Sequence, residues 1–247
     1  VLERESLRPA LDGVGVAYYL VHSMGRGSDG DFAERDRQGG ENFAEAAAAG
    51  VKRIVYLGGL GEGSEHLDSR HATAEILRKG EVPVTYFRAA AVLGAGSESF
   101  RTAYYLVRRL PVMITPRWVA TRTQPIAVGD AIAYLAAAAD LRLAVDREIE
   151  IGGPDVTSYG GMIDELARAL GRRPPLRITV PLLTPSLSSL WIGLVTPVDA
   201  GVAKPLIEGL ATETIVSDPR GMEIFEGIER IPLQKALHTA VKDSRVL

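Results

Sequence analysis

The run VAYYLVH at 16–22 has no polar alternation, and this feature narrows the possible folds more than any other. Successive side chains of a strand point to opposite faces. A strand with one wet face therefore alternates apolar and polar residues, whereas a strand covered on both faces, as in a parallel sheet, does not. Helices are needed on both sides, and the chain supplies them. Residues 31–49, DFAERDRQGGENFAEAAAA, have an acidic start and are stopped by Gly50 before a second strand, RIVYLGG at 53–59. A glycine-rich loop, a helix from about Ser69 to Lys79, a strand VPVTYFRAA at 82–90 and a helix from about Ser97 to Leu110 repeat the unit. Such alternation specifies an α/β doubly wound parallel sheet with right-handed crossovers. Ahead of it, VLERESLRPALDG reads as a short helix closed by Gly13.

Beyond Pro111 the pattern loosens. TRTQPIAVGDAIAYLAAAAD gives a short strand and a helix from near Gly129 or Asp130, REIEIGGPD another strand, and TSYGGMIDELARALG a helix closed by Gly171. From Arg172 to Pro197 prolines gather around SLSSLWIGLV, half the length of a membrane span, which reads as a buried or interfacial helix. PLQKALHTAVKD forms a last helix.

Composition bounds the function. A chain of 247 residues that is 46% hydrophobic and 24% charged is a packed protein rather than a disordered one. A net charge of −3 without a Lys/Arg cluster argues against a nucleic-acid partner. The absence of cysteine removes disulfides, thiolate nucleophiles and Cys-based metal sites, and fits a cytoplasmic setting. No apolar stretch is long enough for integral membrane insertion.

AYYLVHS, DRQGGENFAEAAAAGVKRIVYLGGLG, EILRKGEVPVTYFRAAAVLGAGS, QPIAVGDAIAYL and EIGGPDVTSYGGMIDELARALG, in that order, resemble the atypical short-chain dehydrogenase/reductases. The nearest likeness is to NmrA-like NAD(P)H-binding proteins and the nucleotide-binding accessory subunit of respiratory complex I. The resemblance implies a partial Rossmann NAD(P)-binding domain at 1–171 and a smaller C-terminal substrate-side region at 172–247. It also implies an N-terminal truncation. The first helix corresponds to the segment after the family's third strand, so about 60 residues, the first strands and the glycine-rich phosphate turn would be missing. NADP or NAD is the implied cofactor, with binding compromised by that loss. GGLGEG at 58–63 does not replace the turn, because the next helix is expected to start several residues later, and GAGS at 94–97 reads as a turn.

Ligands of an open parallel sheet bind outside the carboxyl ends of its strands, which selects three clusters. His22 and Ser23 follow the first strand, and by resemblance face the cofactor ribose or nicotinamide; a loop histidine is the plain alternative. Gly58 and Gly59 follow the second, where active family members commonly carry a serine that binds the reacting oxygen. Arg88, Ala89 and Ala90 follow the third, with Arg88 either facing the ligand or paired to an acidic neighbour. The family's Tyr-x-x-x-Lys falls on HLDSRHATAE, where one register places His66 and Arg70 and the other Leu67 and His71. His71 is the first choice as proton donor, since a histidine titrates near neutrality. His66, His71 and Glu75 invite a metal reading, but an i,i+4 ion pair between His71 and Glu75 explains the spacing without one, and no metal is expected. Asn42 matches a recurrent asparagine of the family and is expected to bond backbone near the site. Arg117, Trp118 and Arg122 are candidates for a pocket that takes a small organic substrate.

Two functions fit. One is an oxidoreductase on an unidentified organic substrate; the other is a non-catalytic NADP(H) sensor or assembly subunit, which the missing serine, tyrosine and lysine favour. The strand at 16–21 is expected either to expose one row of backbone groups or to recruit another chain, as in self-association through that edge.

Overall fold

The computed structural model describes residues 1–23, 32–143, 146–180, 209 and 211–244. In chain order it contains α1 (Arg4–Leu11), β1 (Val16–Tyr19), α2 (Phe32–Ala47), β2 (Arg53–Gly59), α3 (Glu65–Arg78), β3 (Val84–Ala89) and β4 (Val92–Leu93). Then come α4 (Glu98–Arg109), β5 (Val112–Thr115), a 3₁₀ turn (Arg117–Ala120), β6 (Arg122–Thr123), β7 (Ile126–Ala127), α5 (Val128–Ala137) and β8 (Arg147–Ile151). The last are β9 (Thr157–Ser158), α6 (Tyr159–Ala169), β10 (Leu176–Thr179), α7 (Arg220–Glu223) and α8 (Leu233–Asp243). The expected apolar helix around SLSSLWIGLV lies outside the described residues.

The main sheet runs β1-β2-β3-β8, every neighbour parallel, so the doubly wound α/β expectation holds. One face of it carries a ladder of tyrosines. Tyr19, Tyr56 and Tyr86 are cross-strand partners, with ring centroids 5.8 Å and 5.1 Å apart, and Phe43 of α2 meets Tyr19 at 4.9 Å. The other face packs Val55, Phe87 and Ile149 against Ala131 and Tyr134 of α5 and against Met222 and Phe225. A third core joins α4, α6 and α8 through Phe100, Leu106, Leu166 and Leu237.

Three local features depart from the expectations. First, α3 begins at Glu65 rather than near Ser69, because the Ser64 side chain accepts the Leu67 N–H and caps the helix ahead of its apolar periodicity. Second, β1 is covered on one face only. Ala17 and Tyr19 are buried, while Tyr18, Leu20 and Val21 are 40%, 51% and 46% exposed. Among the described residues β1 pairs with β2 alone, so its outer edge is bare, and Tyr18 reaches α5 only by donating its hydroxyl to the Leu135 carbonyl. Third, two further strands, β5 and β10, pair in parallel away from the main sheet.

Arg53 locks the sheet to α5. It is 2% exposed, and its guanidinium donates to the carbonyls of Ala138, Asp140 and Leu141 just past that helix. Those are groups that a helix C-terminus leaves without an intrahelical partner.

Candidate functional site

The parallel strands direct their carboxyl ends to one side, and at the end of β1 a cavity of about 500 Å³ opens. Tyr19, Val21, Val1 and Leu2 form its apolar wall; Glu3, Ser6, His22, Ser23, Arg35 and Asp36 supply the polar groups. Asp36 is the pivot. Its buried carboxylate accepts the Ser23 backbone N–H at 2.7 Å and the Ser69 hydroxyl at 3.2 Å, which ties the turn after β1 to both α2 and α3. Asn42 donates to the carbonyls of Val1 and Leu2 at 3.1 and 3.3 Å, which fixes the opposite wall and gives this residue the backbone-bonding role expected of it.

Beside the cavity stand two imidazoles and a guanidinium. The rings of His22 and His66 lie 6.5 Å apart. Arg70 follows His66 by one helical turn, and the Nε of its guanidinium is buried with no hydrogen-bond partner among the described residues. Burial holds the His66 pKa down to about 3, helped by the Arg70 cation and then by His22. His22 reaches solvent, yet its pKa too is lowered, first by the protein crowding its ring and then by Arg70, against a smaller upward pull from Asp36. Both imidazoles are therefore neutral at pH 7. Of the two registers considered for HLDSRHATAE, it is His66 and Arg70 that this arrangement brings together with His22.

His71 sits elsewhere. Its Nε2 is 3.0 Å from the Gly61 carbonyl and its Nδ1 is 2.9 Å from the Tyr86 hydroxyl. A carbonyl oxygen only accepts, so Nε2 carries the proton, and in the neutral ring Nδ1 accepts from Tyr86. The anticipated pair with Glu75 does not form; Glu75 lies 3.7 Å from Arg78. Among the described residues no three His, Asp or Glu side chains could hold a metal ion.

Gly58 and Gly59 have a packing reason. A Cβ at residue 58 would lie 2.7 Å from the Tyr86 ring and from its hydroxyl, and one at residue 59 would lie 2.5 Å from Leu67 Cδ2. The room a serine hydroxyl would need at the tip of β2 is thus filled by the phenol of Tyr86, from the next strand. Arg88 is spent on its neighbours, with Nη1 at 2.8 Å from Glu148 and Nη2 at 3.2 Å from the Gly61 carbonyl, so the paired alternative describes it. Ala89 and Ala90 are buried, and their backbones bond to Leu60 and Ile151.

Arg117, Trp118 and Arg122 fall on the 3₁₀ turn and β6. Trp118 packs against the core of α4, α6 and α8, with its indole N–H buried and unpartnered among the described residues, while both arginines are exposed. Trp118 thus belongs to a different core from the one beneath the cavity. Asp36, Arg35, Glu3 and Ser6 were not singled out from the sequence, because in helical segments such as AERDRQGG and ERESL a site carboxylate looks the same as a solvated one.

A fold of this kind, a parallel sheet with helices on both faces and a crevice at the carboxyl ends of its strands, defines a Rossmann-like α/β protein. Among solved structures it resembles UDP-glucuronic acid 4-epimerase from Bacillus cereus, solved with UDP-glucuronic acid and NAD, at a TM-score of 0.71 and 14% identity over 100% of this chain and 80% of that one. It resembles the NADPH-dependent quinone oxidoreductase QOR2 from Escherichia coli, solved with NADPH, at 0.73 and 17% over 96% of this chain and 80% of that one. The enzyme WbmH from Bordetella bronchiseptica, solved with NAD+, gives 0.69 and 15% over 99% and 80%. At these identities the likeness establishes the fold. No protein-family model and no curated protein matches the chain. No helix among the described residues is long and apolar enough to cross a membrane.

Proposed function

We propose that this chain binds a nicotinamide dinucleotide, NADP or NAD, at the carboxyl ends of β1 and β2, and serves as an oxidoreductase of the atypical short-chain dehydrogenase/reductase type on a small organic substrate. The observation that carries the reading is the cavity at the end of β1, walled by Glu3, Ser6, Ser23 and Asp36 with His22 at its rim. Carboxylates and hydroxyls in that position suit a ribose, whose hydroxyls donate to an acidic side chain in proteins of this fold. The structural neighbours solved with NAD or NADPH support the same cofactor class. Glycine-lined backbone of the kind that cradles a pyrophosphate is not present at this end of β1 among the described residues.

When bound, the nicotinamide would supply the hydride. The chain's own part is to orient it: Asp36 holds the turn that carries His22 and Ser23, and Tyr86 and Leu67 keep side chains away from the tip of β2. His71 accepts the Tyr86 hydroxyl and gives its own N–H to the Gly61 carbonyl, so in this reading it positions the Tyr86 phenol at the tip of β2.

The non-catalytic reading, an NADP(H) sensor or assembly subunit, is favoured by two observations. Position 58 has no room for a side-chain hydroxyl, and neither tyrosine nor lysine stands at 66 or 70. Titration of the protein with NADPH, NADP, NADH and NAD, followed by cofactor fluorescence and calorimetry, tests the shared premise. Oxidation of bound NADPH by quinones or other carbonyl acceptors selects the enzyme; tight binding of both redox forms with no turnover selects the sensor, and no binding of any form rejects both.

A further inference from the structure

The cavity accounts for His22 but leaves His66 and Arg70 without a task. Arg70 is the more telling of the two. Arginine remains charged at any physiological pH, and a guanidinium drawn out of water is costly unless an acceptor receives its N–H groups. No carboxylate among the described residues is within ion-pair distance of Arg70, and its Nε is buried and unpartnered among them. Asp36, the acid nearest in effect, has its two oxygens taken by Ser23 and Ser69. Tyr56 does not serve either, since its hydroxyl donates to the Arg70 backbone carbonyl. Arg70 stands one helical turn beyond His66 on α3, and the His66 ring lies 6.5 Å from that of His22 on the turn after β1; each imidazole carries an N–H that can serve an acceptor.

We propose that Arg70, His22 and His66 form an oxyanion subsite beside the crevice, which takes a carboxylate or phosphate group of the ligand. Arg70 supplies the charge and a planar pair of donors matched to such a group; the imidazoles close the sides. Arrival of the anion supplies the counter-charge missing from the empty site, so the imidazoles gain protons more readily with it than without it. The groups that bear on this titration are His22 on the turn after β1, Asp36 on α2, His66 and Arg70 on α3, Tyr56 on β2 and Tyr86 on β3. The subsite's place beside a bound dinucleotide rests on the function proposed above; its affinity for a bare anion does not.

The test is a titration of the full chain with inorganic phosphate, then with acetate, followed by the imidazole resonances of the four histidines in NMR as a function of pH. Saturable shifts of His22 and His66, with their protonation moved to higher pH and His71 and His238 unmoved, are expected. Arg70→Gln should weaken phosphate by roughly 10- to 100-fold, the worth of a charged hydrogen-bonding partner. His22→Asn, at an exposed turn, should weaken it several-fold and serves if Arg70→Gln does not fold. Phosphate competing with NADPH assigns the subsite to the cofactor's phosphate; phosphate and NADPH bound together assign it to an acidic substrate. Wild-type protein whose His22 and His66 ignore both anions, or phosphate affinity unchanged in His22→Asn and Arg70→Gln alike, overturns the subsite even if dinucleotide binds. Phosphate binding without dinucleotide binding keeps the subsite and rejects the cofactor.

Discussion

At position 58 a single methyl group decides between two arrangements of the β2 tip. Built on the existing backbone it would stand 2.7 Å from the Tyr86 ring, whose edge is pinned by the Tyr56 stack and by the bond to His71, so the ring cannot step aside. Gly58→Ala and Gly58→Ser are therefore expected to lose about 1–3 kcal/mol of stability by overpacking. Gly50→Ala, which has nothing within 4 Å of its Cβ, should stay within about 0.5 kcal/mol in the same urea titrations. His66 gives a pH signature. Its folded pKa, about 3, lies below the ordinary 6.5, so between these values the unfolded chain binds the extra proton and stability falls as pH falls. Between pH 6.5 and 4.5, above most carboxylate titrations, His66→Asn should flatten a slope that approaches ~1 kcal/mol per pH unit for one fully differential group. A variant with the wild-type slope would show that His66 is not held neutral by the fold.

Arg53 and the edge of β1 show what secondary elements demand beyond their own hydrogen bonds. Arg53→Met keeps the bulk but abandons the carbonyls of Ala138, Asp140 and Leu141 next to a buried surface, and should cost about 2–4 kcal/mol in thermal or urea unfolding. The edge of β1, with Leu20 and Val21 half exposed beyond a strand paired on one side, presents unpaired backbone next to apolar side chains. Such an edge associates, so sedimentation should report concentration-dependent oligomers that Leu20→Lys or Val21→Lys diminishes. The long elements were legible because each repeats a helical or apolar pattern over many residues: 31–49 against Phe32–Ala47 and 53–59 against Arg53–Gly59 differ by two residues at most. The start of α3 was not, because GEGSEH carries a cap and no apolar period. The short strands β4 and β9 and the β5–β10 pair were not either, since they depend on partners far along the chain, Val92 on Ile126, Thr157 on Thr123 and Val112 on Leu176. The site was legible in its position, at His22 and Ser23, and not in its wiring. Asp36 and Tyr86 acquire their roles from register across α2, α3 and β3, which no local pattern encodes.

At the scale of the whole molecule, the C-terminal residues complete cores begun much earlier in the chain. Met222 and Phe225 pack on Phe87 and Tyr134 against one face of the main sheet, and Leu237 with Val241 closes the core of α4 and α6. Two further ties run back from the same segment: Asp130 accepts the Ile231 N–H and Asp155 the Leu233 N–H, each at 2.7 Å. Segments that share cores in this way unfold together. Leu237→Ala removes a fully buried side chain from one core and Phe225→Ala a ring from the other, and each is expected to cost about 2–5 kcal/mol. Because the tail bridges both, urea unfolding of either variant should remain one transition with a lowered midpoint and the same slope when followed by tyrosine fluorescence, to which all eight tyrosines contribute, and by far-ultraviolet circular dichroism. Separate transitions by the two probes in Leu237→Ala would mean that the tail and the helices it covers form a unit that can leave while the four-stranded sheet and its crevice stay folded.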